Sequence, residues 1–191
     1  MANFWLTGRF RMKTSETIMG VVAILTMTGC THDQGNASKE GQRAYTRAVA
    51  DLSPASNSNV KGTVTFVRQG SMTLVEATIS GLTPGLHGFH IHEKGDCSAA
   101  DASSAGGHFN PSGMPHAGPD SHDRHVGDFG NIEADASGNA RFSRVFPNLQ
   151  YEGTDSIVGR AVIVHAEADD LKTQPSGDAG GRVACGVITL K

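Results

Sequence analysis

At 191 residues the chain has room for one domain with a sizeable core and some extra sequence. Its 24 glycines and only 6% aromatic residues fit an all-β fold with many tight turns and a core of Val, Ile and Ala rather than rings. The net charge of −3 becomes −5 over residues 30–191, where 13 basic side chains stand against 18 acidic ones, so no nucleic-acid partner is expected.

The chain opens with Arg9, Arg11 and Lys13 ahead of an apolar run from Ile18 to Met27, a pattern that predicts a signal peptide over residues 1–29, too short to be a spanning helix. Met12 is a second plausible start. Thr28-Gly29-Cys30 resembles a lipoprotein processing site, although Met27 stands where leucine is more usual. The expectation is export to the periplasm or cell envelope with a lipid on Cys30 anchoring the protein to a membrane; the alternative is ordinary cleavage nearby. Residues 30–42 are small and polar and predict a flexible tether, followed by a folded domain over 43–191.

From residue 44 onward, apolar and β-branched runs predict eight strands, at 44–52, 60–68, 73–80, 86–92, 127–134, 140–145, 158–165 and 182–190. Gln69-Gly70, Thr83-Pro84-Gly85 and Ser137-Gly138-Asn139 supply turns between them. Regular spacing with long insertions after the fourth and seventh strands predicts an eight-stranded Greek-key β-barrel or sandwich carrying two long functional loops. Cys97 and Cys185 can pair in an oxidising compartment, where closing so long a loop would stabilise the fold by roughly 4–5 kcal/mol on the disputed chain-entropy account. The alternative is two inert buried thiols.

Histidine is concentrated where chemistry would need it. In the fourth strand, His90 and His92 share one face with side chains roughly 6–7 Å apart, so both imidazoles can converge on one ion. His87 points to the opposite face and is expected to be packed and hydrogen-bonded. The following loop reads HFNPSGMPHAGPDSHDRHVGD and supplies His108, His116, His125 and Asp128, a closed zinc-type ligand set. Histidines gathered in a polar surface loop are the bland alternative. Pro111, Gly113, Pro115, Gly118 and Pro119 exclude a regular helix there, so a tether such as a metal would be needed to order the loop. The seventh strand, Arg160-Ala161-Val162-Ile163-Val164, delivers His165 at its end, and nitrogen donors from strands suit copper(II). His122 matches no ligand position and is expected to be exposed.

Six segments together resemble the bacterial copper,zinc superoxide dismutases: GLHGFHIHEKGDC ending at Cys97, GGHFNP (106–111), HAGP (116–119), RHVGDFGNI (124–132), GRAVIVHAEADD (159–170) and GGRVACGVI (180–188). The resemblance implies that copper takes His90, His92, His108 and His165, and that zinc takes His108, His116, His125 and Asp128, with the His108 ring shared between them. It implies that Asp169 links His90 to His116, that Cys97 and Cys185 form a disulfide, and that Arg182 holds a small anion beside the copper. Lys94 and Lys172 are further candidates for positive potential. The implied activity is conversion of superoxide to dioxygen and hydrogen peroxide, with His108 and Arg182 as the catalytic residues. A noncatalytic copper- and zinc-binding protein on the same scaffold is the alternative.

Overall fold

A computed structural model describes residues 47–191. The expected signal peptide, the tether, Cys30 and the first three residues of the first expected strand lie outside the described residues. Among the described residues there are nine strands, β1 Arg47–Pro54, β2 Lys61–Gln69, β3 Met72–Ser80, β4 Gly85–His92, β5 Asp128–Ala134, β6 Ala140–Pro147, β7 Ala161–His165, β8 Arg182–Val187 and β9 Thr189–Leu190, with one short 3-10 turn at Ser103–Ala105. They run in the order β2-β3-β6-β5-β4-β7-β8-β1, and β1 pairs back onto β2, so the sheet closes into an eight-stranded barrel. Every strand pairing is antiparallel. β3 lies beside β6 rather than β4, which makes β3 to β6 a Greek key.

β8 and β9 both pair with β1 and correspond to the single strand expected at 182–190. The break falls at Ile188, whose N–H donates to the Arg160 carbonyl while its own carbonyl accepts from Gly159 N–H, both at 2.8 Å. The same region shortens β7. An onset at residue 158 was expected, but Gly159 adopts φ +82°, a left-handed turn that ends extended geometry, and regular pairing begins at Ala161.

The barrel interior also departs from the expected composition. Val64, Val75, Val162, Val164, Ile79, Ile91 and Ile132 are buried there, but the same buried cluster also holds five phenylalanines, Phe66, Phe89, Phe109, Phe129 and Phe146. Phe129 stacks on Phe146 with centroids 4.3 Å apart and meets Phe89 edge-on at 5.7 Å. Few aromatics in the whole chain does not mean few in the core, because apolar rings are the most favourable residues to bury.

Alternation then decides where chemistry can sit. In β4, Phe89 and Ile91 point into the barrel, so His90 and His92 point out of it. In β7, Val162 and Val164 point inward, while Ala161 and Ile163 pack outside against Ala102, Ala105 and Cys185. His165 continues that outer face. All five β7 residues are buried because loop 93–127 covers the strand's outside, and the Cys97–Cys185 disulfide joins that loop to β8. The bridge spans 88 residues, and it points to an oxidising, extracytoplasmic compartment. Among the described residues no helix is long and apolar enough to cross a membrane.

Candidate metal centre

Two donor groups lie on the outer face of the barrel under loops 93–127 and 166–181. His90, His92, His108 and His165 offer ring nitrogens within 4.8 Å of one another, and so do His108, His116 and His125 together with an Asp128 oxygen. All seven residues are buried. His108 belongs to both groups. β4 and β7, paired directly with Phe89 opposite Val164, bring His90, His92 and His165 together. A bulge in β5 brings Asp128 opposite His90: Gly88 faces Asn131, His90 faces Asp128, and the extra residue is accommodated at Gly130, φ +77°.

His108 is loop-borne but held like a strand residue. Phe109 N–H donates to the Ile91 carbonyl, Ile91 N–H to Gly127, and Gly127 N–H to Phe109, so both ends of the loop are zipped along β4. Gly127 is required here, since a Cβ would overlap the Ile91 carbonyl oxygen. From this root the loop runs out to His116 and returns to His125. Arg124 fastens the return, donating from Nη1 to the His125 carbonyl at 2.7 Å.

The hydrogen bonds around the rings determine which nitrogens remain. His92 Nδ1–H donates to the Gly106 carbonyl at 2.9 Å and His165 Nδ1–H to the Gly180 carbonyl at 3.2 Å. Their Nε2 atoms therefore carry lone pairs, and these stand 3.4 Å apart. Two facing lone pairs repel unless a cation lies between them. His90 spends Nε2 on Asp169, at 2.8 Å, which leaves Nδ1 buried without a partner. His108 Nε2 is likewise buried and unpartnered. Burial pushes His90 down to about 4, against the pull of Asp169, and His165 down to about 3, with His90 adding to the effect. Burial also holds His92 well below its ordinary value. At neutral pH these rings are uncharged, the form in which imidazole ligates a metal.

The second group has the opposite electrostatics. Asp128 Oδ1 lies 2.8 Å from His108 Nδ1, 3.0 Å from His116 Nδ1 and 3.2 Å from His125 Nδ1. A tetrahedral ion with bonds of roughly 2.0–2.1 Å would separate its donors by about 3.3 Å, so the spacing suits a small four-coordinate cation. His116 lies between Asp128 and Asp169. Burial opposes its charge, but the two carboxylates overcome that and raise it to about 9. Burial likewise works against the charges on Asp128 and Asp169, yet their histidine partners hold both carboxyls well below the usual range. Positive charge is favoured at this point, and a metal ion held there would supply it.

Asp169 bonds both groups, accepting from His90 at Oδ2 (2.8 Å) and from His116 at Oδ1 (2.9 Å). The Asn131 side chain clasps its backbone, donating to the Asp169 carbonyl and accepting from its N–H. Arg182, the cross-strand partner of His165, donates to the carbonyls of Ala102 and Gly106, both at 2.6 Å. His87 is buried on the barrel side, with its ring nitrogens against the carbonyls of His165 and Thr83. His122 is exposed and pairs with Asp123; Lys94 and Lys172 are exposed. Gly106, Gly180, Arg124 and Asn131 were not among the sequence candidates: the first two act through backbone carbonyls, and the others look like ordinary polar loop and strand residues.

A sequence profile for the family described as Copper/zinc superoxide dismutase (SODC) matches residues 60–188. Among solved structures, that of the clock protein EA4 is similar with a TM-score of 0.72 and 41% sequence identity, covering 80% of this chain and 99% of that one.

Asp169 generates a prediction about metal uptake. Asp169→Asn, which cannot accept with equal strength from both imidazoles, should weaken binding of metal ions to both donor groups by roughly 10–100-fold. Titration calorimetry of the metal-free variant checks this, and wild-type affinity at both groups would show that the link has no part in binding.

Proposed function

Because the chain belongs to the copper/zinc superoxide dismutase family, we propose that it is a superoxide dismutase, converting two superoxide ions and two protons into dioxygen and hydrogen peroxide. The observation that carries the reading is His108, which two donor groups of different charge share. The four-nitrogen group, His90, His92, His108 and His165, suits copper; the group containing Asp128 suits zinc. Copper, when bound, supplies the change of oxidation state that zinc cannot undergo.

The chain's own residues do the rest. His90, His92 and His165 each spend one nitrogen on Asp169 or a carbonyl, so their protons are committed to orienting the rings. His108 alone has both nitrogens turned toward donor groups, which makes its Nε2 the atom at which the protein can hold a proton and give it up. Asp128 and the His116–Asp169 link keep the other side of the ring in place. Arg182, fixed by two carbonyls beside His165, offers a cation to a small anion. An acidic protein needs such local attraction, and steering of this kind can raise encounter rates by about 10- to 1000-fold, a range drawn in part from this enzyme family.

The name of the neighbour, a clock protein, favours a second reading, a scaffold that holds metal without turnover. A superoxide-consumption assay separates the two. Protein loaded with copper and zinc should consume superoxide, and copper-chelated protein should not; His108→Ala should abolish turnover and weaken both metals. Inactive, fully loaded wild type would leave the noncatalytic reading standing.

The role of Arg182 has its own signature. Arg182→Glu should slow the reaction and flatten its decline with added salt, since exposed charges are screened beyond about 8 Å at physiological ionic strength. An unchanged rate and salt profile would exclude steering from this position.

We further propose that the mature chain begins at Cys30 and is held in the cell envelope by lipid. An apolar run ending in Thr28-Gly29-Cys30 supports this, as does an odd cysteine, since Cys97 and Cys185 are joined. Cell fractionation of wild type and Cys30→Ser, with mass spectrometry of the mature N-terminus, should show the wild type membrane-bound and lipidated and the variant released. A soluble wild type without lipid mass would end the anchor proposal and leave the enzyme reading untouched.

A further inference from the structure

His116 has no strand neighbour, yet both polar groups of its backbone are bonded, and to one side chain. Gln174, in loop 166–181, accepts from His116 N–H at Oε1 and donates from Nε2 to the His116 carbonyl, both at 2.8 Å. This is the two-point pairing that a β-ladder partner makes. Gln174 is otherwise exposed, so nothing about burial requires its amide to be used this way.

The loop presents that amide already organised. Asp170 Oδ1 accepts from the N–H groups of Lys172 and Thr173, and Thr173 Oγ1 donates to Asp170 Oδ2. Gly177 N–H donates to the Thr173 carbonyl, and Asp170 N–H to the Gly177 carbonyl. A turn closed on itself loses little entropy when it grips something else. The same turn reaches the His116 ring. Asp169 accepts from Nε2, and Gly177, at φ +70°, passes so close that a Cβ would overlap both Asp169 Oδ1 and His116 Nε2. Backbone and ring of one residue are thus gripped by a single loop, and the remaining nitrogen, Nδ1, is left facing Asp128.

We infer that Gln174 is a positioning residue for the proposed zinc group: by clasping the backbone of His116 it sets Nδ1 at the metal position, so that zinc retention depends on the loop that also carries Asp169. The inference rests on the metal-centre reading. It adds that the two loops covering the site are joined by a dedicated clasp on one ligand. The copper-type group does not include His116, so the effect falls on one metal and spares the other.

The test uses full-length protein loaded with copper and zinc, wild type and two variants, with each metal's dissociation constant measured by chelator competition. Residues that orient a ligand typically affect metal affinity by 10–100-fold, so Gln174→Ala should bind zinc about tenfold more weakly or worse, with copper affinity unchanged. Gln174→Glu keeps an acceptor for His116 N–H but sets an oxygen against the His116 carbonyl, and should also weaken zinc selectively. A hydrogen bond that merely held the loop down would lower the unfolding temperature and leave the zinc constant of the folded protein where it was. An unchanged zinc constant in both variants overturns the inference. Where a variant does not fold, amide hydrogen exchange in the wild type decides: His116 N–H must be protected, and exchange at the rate of an unbonded loop amide overturns the clasp. Wild type that takes up no zinc overturns this role together with the metal reading. Normal zinc uptake with unaffected variants overturns this role alone.

Discussion

Asp169 is bonded to both donor groups and belongs to neither. A carboxylate with no exposed side chain must have its charge answered by hydrogen bonds, or burying it would cost several kcal/mol. Its two oxygens receive His90, His116 and the Leu171 N–H. That demand fixes geometry elsewhere. With Nε2 of His90 committed, only Nδ1 can face the centre, and the same holds for His116. The tautomers of two rings, one on a strand and one on a loop, are therefore set by a single group that need not touch a metal.

The barrel contributes precision, and it does so by its outside. Strand alternation sends Phe89, Ile91, Val162 and Val164 inward and His90, His92 and His165 outward, so the aromatic and aliphatic core that stabilises the barrel also aims the candidate donors. An outward-facing cluster of neutral imidazoles would ordinarily be wet. Loop 93–127, joined to β8 by the disulfide, covers it and brings the Gly106 carbonyl to His92 and Arg182 alike. One carbonyl thus orients the His92 ring and holds the Arg182 cation beside the donor group.

What the chain disclosed in advance followed from the range of each interaction. The eight strands were legible because alternation and turn residues are local signals, and the donors were legible because histidine is rare and imidazole chemistry specific. The outward face of His90 and His92, and the inward one of His87, needed only the period of a strand. The β7 onset and the break at Ile188 were not legible, since both depend on hydrogen bonds between Gly159, Arg160 and Ile188 across the sheet. Nor was the phenylalanine cluster, because composition counts residues and does not say which rings will meet. The carbonyls of Gly106 and Gly180 and the amides of Asn131 and Gln174 leave no trace in residue type: any residue has a carbonyl, and an amide side chain is as much at home in solvent.

The two donor groups also differ in how much order the protein gives them without help. His90, His92 and His165 stand on paired strands, and His108 is zipped to β4 through Phe109 and Gly127. Those four positions share the stability of the barrel itself. His116 lies between residues 110 and 124, where glycine and proline forbid regular pairing, and it is held by side chains, those of Gln174, Asp169 and Asp128. His125 has the brace of Arg124 and lies nearer the zipped root. Order in the centre therefore falls off in sequence from His108 outward to His116. The shared donor residue sits at the strand-held end, and the residue facing two carboxylates sits at the end where a cation would add most order.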